Sequence, residues 1–437
     1  MSIPFTPIPE IIRAIADGRI VILIDDEDRE NEGDFIFAAE HVSGDKINFL
    51  ATHGRGLICV PASRERLEAL RLDPFPIEKN TALMGTNFTD SVDARHGVST
   101  GISAKDRATT VKVLADPASQ PSDLARPGHL FPIAAREGGV LTRAGHTEAT
   151  VDLCRLAGLE PVGVLCEILK PDGEMARLPD LIEIAEKLDT PIAAIRDLIA
   201  HRQKTEKLVR RVVTVDMPNR YGMWRLSLYE DIVHKEQHVT MSMGKIDERP
   251  ILVRMHSQCF TGDTLMSLRC ECGPQLQTAM EMIGRAGRGV IVYLHQEGRG
   301  IGLKNKLLAY ALQEQGMDTV DANRELGFKP DLREYGIGAQ ILVDLGVRRI
   351  RLLTNNPRKI VGLEAFNLEI VERLPLEVGK CDHNEQYLQT KRQRLGHLLD
   401  ASEPVREHST AADPDNGEQD GAHDPDRTRE HADEPVR

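Results

Sequence analysis

The sequence predicts an α+β protein, two unlike mixed α/β domains in tandem followed by a disordered acidic tail. Three observations carry that expectation. Short apolar runs rich in β-branched residues alternate with amphipathic stretches, the pattern of sheets covered by helices. Near residue 207 a helical stretch gives way to the Val-rich VVTVDMP, and nothing beyond that point repeats what came before. From Asp400 onward, twelve acidic and four basic side chains accompany almost no large apolar residue, too little to bury for the segment to order itself. The expected division is therefore 1–206, 207–400 and 401–437.

In the first unit IVILI (20–24), GLICV (56–60) and GVLCEIL (163–169) have strand composition. Two amphipathic helices follow: Leu181, Ile182, Ile184, Ala185 and Leu188 share one face, and Ile192, Ile195, Leu198 and Ile199 repeat the spacing. A basic, helix-prone stretch from Lys204 to Arg211 leads into the second unit. There VVTVDMP, ILVRM, GVIVYL and IRLLT read as strands and KNKLLAYALQEQ as a helix.

With 437 residues, 41% of them hydrophobic, the chain is long enough for two ordinary cores. Seven cysteines without regular spacing argue for a reducing compartment, with Cys59, Cys154, Cys166 and Cys381 as free thiols. The start MSIPFTPIPE lacks a leader's basic and apolar regions, and no run approaches the ~20 apolar residues of a membrane span. A cytoplasmic protein without a membrane partner is expected. No basic stripe with interleaved aromatics occurs, so nucleic acid is not an expected partner either.

Chemistry concentrates in three places. Cys259, Cys270 and Cys272, within RMHSQCFTGDTLMSLRCECGPQLQ, supply three thiolates and leave a fourth tetrahedral position free, as a catalytic zinc is held. His256, three residues earlier, would instead close the site as Cys3His; three unrelated core thiols are the remaining reading, against which stand the flanking Arg269 and Glu271. The run DDEDRENEGD (25–34) packs seven carboxylates and one Arg into ten residues, a crowding that needs a cation or solvent to relieve it. A solvated surface loop is its bland reading. Further on, Arg143, His146, Thr147 and Glu148 precede a helical pattern, and Glu167 ends an apolar strand; Arg and Thr suit a phosphate, His and carboxylate a Mg2+.

Residues 1–205 resemble 3,4-dihydroxy-2-butanone 4-phosphate synthase through DDEDRENEGD, STGISAKDRATT, RPGHLFP, RAGHTEATVDL and GVLCEIL. The resemblance implies a Mg2+- or Mn2+-dependent rearrangement of ribulose 5-phosphate that loses C4 as formate. It further implies Glu30 and His146 as metal ligands, and Arg29, Glu30, Asp34, Arg143, Ala144, Gly145, His146, Thr147 and Glu167 as substrate contacts. His129 and Glu167 would be catalytic, and the unit a homodimer. These residue types suit proton shuttling beside an ion that stabilises an enediolate. The composition of STGISAKDRATT also suits a lid over the substrate.

Residues 208–400 resemble GTP cyclohydrolase II through the cysteine region, HQEGRGIGL, DTVDANRELGF, DLREYGIGAQIL and LLTNNPRK. The implied reaction opens GTP at C8 to give formate, pyrophosphate and 2,5-diamino-6-(5-phosphoribosylamino)pyrimidin-4(3H)-one, with zinc on the three cysteines and Mg2+ on the phosphates. Arg333 would act on the α-phosphate, as nucleophile or as electrostatic clamp, with Asp331 taking a proton. GTP contacts carried over are Arg254, Met255, His256, Ser257, Gln258, Gln275, Glu297, Gly298, Arg299, Thr319, Thr354 and Lys359; Tyr310 is a further candidate near the site. Where many members of the resembled family read HSEC, this chain has Gln258 before Cys259. No P-loop motif occurs. The expectation is a bifunctional enzyme supplying both precursors of riboflavin, set against a chain with one active half or a zinc-stabilised guanine-nucleotide-binding regulator.

Overall fold

The structure, a computed structural model, describes residues 5–76, 78–328, 333, 335–357, 359–360, 363 and 366–398. The tail 401–437 lies outside them, and so does Asp331. Two seven-stranded sheets organise the described chain. The first consists of β1 (Val21–Ile24), β2 (Gly33–Ala38), β3 (Cys59–Ala62), β4 (Val92–Ala94), β5 (Leu124–Ala134), β6 (Gly163–Glu167) and β7 (Ile192–Ala194), in the order β4-β5-β3-β6-β2-β1-β7. The second has β8 (Val209–Asn219), β9 (Gly222–Asp231), β10 (Gln237–Met243), β11 (Ile251–Ser257), β12 (Gly289–Leu294), β13 (Arg349–Leu353) and β14 (Glu369–Leu374), in the order β14-β13-β11-β12-β10-β9-β8. No strand crosses from one sheet to the other, so the two units are unlike mixed α/β layers in tandem.

In the first sheet, β1 and β2 are buried along their whole length because both faces are covered. Successive residues serve opposite cores: Ile22, Phe35 and Phe37 pack on one side with Val111, Leu114 and Leu181, while Val21, Leu23 and Ile36 pack on the other with Ile11, Leu153 and Leu198. The first group draws in helices Ala104–Ala115 and Leu178–Lys187; the second draws in Ile8–Ala16, His146–Leu156 and Ile195–Thr205. The second sheet is antiparallel from β8 to β12 and parallel from β12 through β11 and β13 to β14. Helix Cys272–Ala286 covers one face through Ala279 and Ile283, and helix Gly336–Asp344 covers the other through Ala339, Ile341 and Leu342.

Three local expectations differ from the fold. The spacing of Ile192, Ile195, Leu198 and Ile199 suggests one helix, but Ile192–Ala194 is β7, parallel to β1 with Ile22 opposite Ile192. Only from Ile195 is the chain helical. Sheet pairing of a short buried segment after Pro191 outweighs its helical periodicity. The basic stretch after Lys204 is helical only to Thr205 and is strand from Val209. Finally, most of STGISAKDRATT is a packed helix rather than a lid: Ser103 caps it by accepting the Asp106 N–H at 3.1 Å, and the Asp106 carboxylate accepts Ser99 Oγ at 2.6 Å and Gly101 N at 3.2 Å. Among the described residues no helix is long and apolar enough to cross a membrane.

Trp224, the single tryptophan, is fully buried in the second unit and donates its indole N–H to Asn219 Oδ1 at 3.0 Å. Replacing it with Ala is expected to cost about 3–5 kcal/mol. Urea unfolding followed by circular dichroism would show that loss in the second unit's transition, with the first unit's transition unmoved.

Candidate active sites

In the first unit the acidic run folds around its own first member. The side chain of Asp25 is buried at the end of β1; its carboxylate accepts the N–H of Glu30 at 3.1 Å and of Glu32 at 2.8 Å and pairs with Arg29 at 2.8 Å. Asn31, at φ 54°, completes the turn into β2. Arg29 also holds Glu30 at 2.9 Å, and Glu30 faces His146 Nδ1 at 3.7 Å. Asp34 lies 4.0 Å from the same nitrogen and stands directly opposite Glu167 across β2 and β6. Glu167 in turn accepts the Leu57 N–H at 2.8 Å. Arg29, Glu30, Asp34, His146 and Glu167, far apart in the sequence, thus converge.

Electrostatics follow from that crowding. Burial, reinforced by Glu167 and Glu30, raises the Asp34 carboxyl to about 7 despite the opposing His146. For His146 burial works against the charged form, yet Asp34, Glu30 and Asp25 outweigh it and lift the imidazole to about 9. Burial opposes ionisation of Glu30 as well, but His146, Arg29 and Arg143 prevail and its pKa is lowered. Glu167 is raised, chiefly by burial.

Asp25, Glu30 and His146 present ligand atoms within 4.8 Å of one another. Asp25 already accepts three hydrogen bonds, from Arg29 and two backbone N–H groups, so it is the scaffold of the loop. Glu30 and His146 retain capacity, and among the described residues buried Asp34 Oδ1 and His146 Nε2 have no hydrogen-bond partner. An oxygen-rich set of this kind fits a hard dication.

The run from Arg143 to Thr147 sits at the start of helix His146–Leu156, with Gly145 as N-cap. Arg143 is fixed by Glu148 at 2.7 Å and by Met84 O at 3.1 Å, beside the first-turn amides of the helix, whose N-terminal end suits negative charge. His129 is not in the cluster. It pairs through Nδ1 with Asp93 at 2.7 Å and donates its own N–H to the same carboxylate at 3.0 Å, with its side chain 42% exposed. Sequence reasoning missed both supporting carboxylates. The position of Asp25 immediately after a strand was a usable signal; Asp93 offered none.

In the second unit Cys259 follows β11, and Cys270 and Cys272 lead into helix Cys272–Ala286. The three sulfurs lie within 4.8 Å of one another, Cys259 and Cys270 at 3.6 Å. Gly262 runs beneath them, where a Cβ would come within 2.9 Å of Cys270 Sγ and 3.1 Å of Cys259 Sγ. Cys259 is held far below the usual thiol range by hydrogen bonds from Cys270 and Cys272, with Lys306 adding to them, while the hydrogen bond to Cys259, with burial and that sulfur's charge adding to it, pushes Cys270 up to about 11. All three become thiolates together only with a cation between them, the donor set of a zinc site. His256 is elsewhere: its Nε2 faces both Asp263 oxygens at 3.1 Å and its ring stacks on Tyr293. Among the described residues the cluster is therefore three thiols, and the Cys3His alternative is not built.

A buried lysine that the sequence did not reveal completes this centre. Lys306 Nζ lies 3.2 Å from Cys259 Sγ, 2.9 Å from Thr261 Oγ1 and 2.7 Å from Glu297 Oε1. Glu297 accepts the Phe260 N–H at 2.6 Å as well. Tyr310 OH reaches Thr261 Oγ1 at 3.4 Å. Ser257, Gln258, Glu297, Gly298, Arg299, Thr319 and Arg333 line one cavity with the thiols. Gly298 and Arg299 make its tight turn at φ 62° and 64°, an unfavourable conformation for Arg299. The other expected contacts lie behind the wall. Arg254 donates to Gln275 Oε1 at 2.6 Å and to Leu353 O at 3.0 Å, Lys359 donates to Met255 O at 2.6 Å, and Thr354 accepts the Asn356 N–H at 3.0 Å. Burial lowers Arg254 to about 10 and depresses Lys359 strongly.

Residues 9–201 match the family model described as 3,4-dihydroxy-2-butanone 4-phosphate synthase, and residues 210–375 match that of GTP cyclohydrolase II. Riboflavin biosynthesis protein RibBA of Chlorobium phaeovibrioides is 55% identical over 397 residues, which cover 90% of this chain and 97% of that protein. Its namesake from Bacillus subtilis is also 55% identical over 397 residues, covering 90% and 99%. Among solved structures, RibBX of A. baumannii, a two-domain 3,4-dihydroxy-2-butanone 4-phosphate synthase, superposes with a TM-score of 0.65 at 35% identity, covering 85% of this chain and all of that one.

Because a Cβ at Gly262 would press on Cys270 Sγ at 2.9 Å and Cys259 Sγ at 3.1 Å, Gly262→Ala is expected to spread the thiols and weaken metal retention while the fold persists. Zinc per chain after dialysis, read by elemental analysis, should fall clearly below that of the wild type.

Proposed function

We propose residue roles from one premise: the chain belongs to the bifunctional riboflavin biosynthesis family, which joins a 3,4-dihydroxy-2-butanone 4-phosphate synthase to a GTP cyclohydrolase II. The protein is a lyase and a hydrolase in one chain. It converts ribulose 5-phosphate to L-3,4-dihydroxy-2-butanone 4-phosphate and formate, and GTP to the diaminopyrimidinone ribosyl phosphate, formate and pyrophosphate. We assign the synthase to residues 1–206 and the cyclohydrolase to 207–400, acting in the cytoplasm.

The observation that carries the assignment is the presence of two separate cation-competent clusters, one of carboxylates and histidine and one of thiols, each in its own unit. In the synthase, Glu30 and His146 hold Mg2+ or Mn2+, which when bound supplies positive charge to an enediolate. Arg143 and the amides from Ala144 to Thr147 grip the sugar phosphate. Asp34 and Glu167, whose carboxyls are raised toward neutrality, exchange protons with the substrate carbons. His129, oriented by Asp93 and open to solvent, serves a site completed by a second copy, so the working form is a homodimer.

In the cyclohydrolase, Cys259, Cys270 and Cys272 hold zinc, which when bound supplies a nucleophile at neutral pH for hydrolysis. Lys306 offsets the negative charge of Cys259. Arg299 and Arg333 address the phosphates with their Mg2+, and Asp331 serves Arg333 as base. Glu297, Gln258 and Ser257 meet the nucleotide in the cavity, with Arg254, Gln275, Thr354 and Lys359 holding the wall behind it.

Formate assays of the metal-loaded protein given each substrate alone test these roles. The wild type should release formate from both. Glu30→Gln should silence ribulose 5-phosphate turnover by at least about a hundred-fold and leave GTP turnover intact, and Cys270→Ser should do the reverse. GTP binding without formate release in the wild type would instead identify a regulator.

A further inference from the structure

The family match to GTP cyclohydrolase II ends at residue 375, yet the described chain continues into one more helix, Glu385–Leu395. That helix lies over the thiol cavity and is tied down along its length. Asn384 anchors its start by donating to Gly379 O at 2.7 Å and accepting the Cys381 N–H at 3.0 Å. In its middle, buried Lys391 pairs with Glu271, the buried residue between two of the thiols. Toward its end, Arg394 clamps Asp318 and Asp321, with bonds of 2.9 and 3.0 Å to the latter. Asp318 caps the helix that begins with Thr319, so the clamp reaches a residue of the cavity wall.

The cavity beside the thiols measures about 100 Å³. That is below the ~300 Å³ at which small-molecule pockets begin, and too small for a whole nucleotide. Next to it opens a cleft of about 580 Å³, and Arg269, Gln313, Thr319 and Tyr387 line both. Tyr387, from the extra helix, therefore stands where a nucleotide spanning the two must pass. Its ring centroid lies 5.7 Å from the Arg299 guanidinium and 4.6 Å from Lys391 Nζ, so one aromatic ring steadies two cations of the site.

We propose that helix Glu385–Leu395 is part of the guanine-nucleotide site: Tyr387 is a nucleotide-contacting and Arg299-positioning residue, and Lys391 is a positioning residue that locks the helix to the thiol loop. The proposal deepens the cyclohydrolase reading and rests on it. It makes GTP affinity depend on a segment that follows the stretch matched by the family model.

The test is steady-state GTP turnover by the full-length, zinc-loaded protein, with zinc content and ribulose 5-phosphate turnover measured on the same samples. Tyr387→Ala should raise the GTP KM roughly ten-fold with kcat within about two-fold, zinc retained and synthase activity unchanged. Tyr387→Phe, which keeps the aromatic face, should restore most of the affinity. Lys391→Met should raise KM in the same direction, and Lys391→Arg should rescue it. Arg394→Ala, which alters only an exposed clamp, should raise KM roughly three-fold. An unchanged KM in zinc-replete Tyr387→Ala overturns the proposal. If Tyr387→Ala loses zinc, Arg394→Ala decides, and a KM equal to wild type in that variant overturns it too. Should the wild type release no formate from GTP, the cyclohydrolase reading fails; calorimetric binding of GTP to wild type and Tyr387→Ala then decides the proposal by itself, equal affinities overturning it.

Discussion

Ionisable groups held closer than they would settle unaided are the constraint on which both units depend. Glu30, Asp34 and Glu167 crowd one histidine, and three sulfurs lie within 4.8 Å of one another. Each cluster would disperse if its supports were free to move. In the first, the buried Asp25 carboxylate fixes the acidic loop through two backbone N–H groups and Arg29, and pairing of β2 with β6 forces Asp34 against Glu167. In the second, a glycine beneath the sulfurs and a lysine beside them set the spacing. Crowding of this kind is relieved when a cation sits among the donors.

Both units place the cost where the backbone is least able to yield. The carboxylates sit at the junction of β1, β2 and β6, whose strands are packed on both faces, and the thiols sit between the end of β11 and the start of a 15-residue helix. Rigid elements hold donors to within tenths of an ångström where loops would let them drift apart. Loops contribute where adaptability serves: the left-handed turn at Gly298 and Arg299 brings backbone and guanidinium toward the cavity together.

Much of this was legible in the sequence because it is local. Cys270 and Cys272 are two apart, DDEDRENEGD is contiguous, and Arg143–Thr147 lead into a helix whose pattern is visible. The helix or strand preference of most segments was legible for the same reason. Where a preference failed, as at Ile192–Ala194, a partner strand some 170 residues away outweighed it, and no local window contains that partner.

What the sequence determined by itself is therefore the inventory of chemistry: which residue types are present at spacings that a metal, a phosphate or a nucleotide demands, and the division into two unlike units. What only the tertiary structure decided is which charges those groups meet. Lys306 reaches Cys259 from 47 residues away, Lys391 reaches Glu271 from 120, Asp93 reaches His129 from 36, and His256 turns to Asp263 rather than to the thiols. The physical reason is that an ionic or hydrogen-bonded pair carries no sequence signature when its members lie on separate elements. Their meeting is set by how sheets and helices pack, and packing depends on the whole apolar pattern rather than on the charged residues themselves.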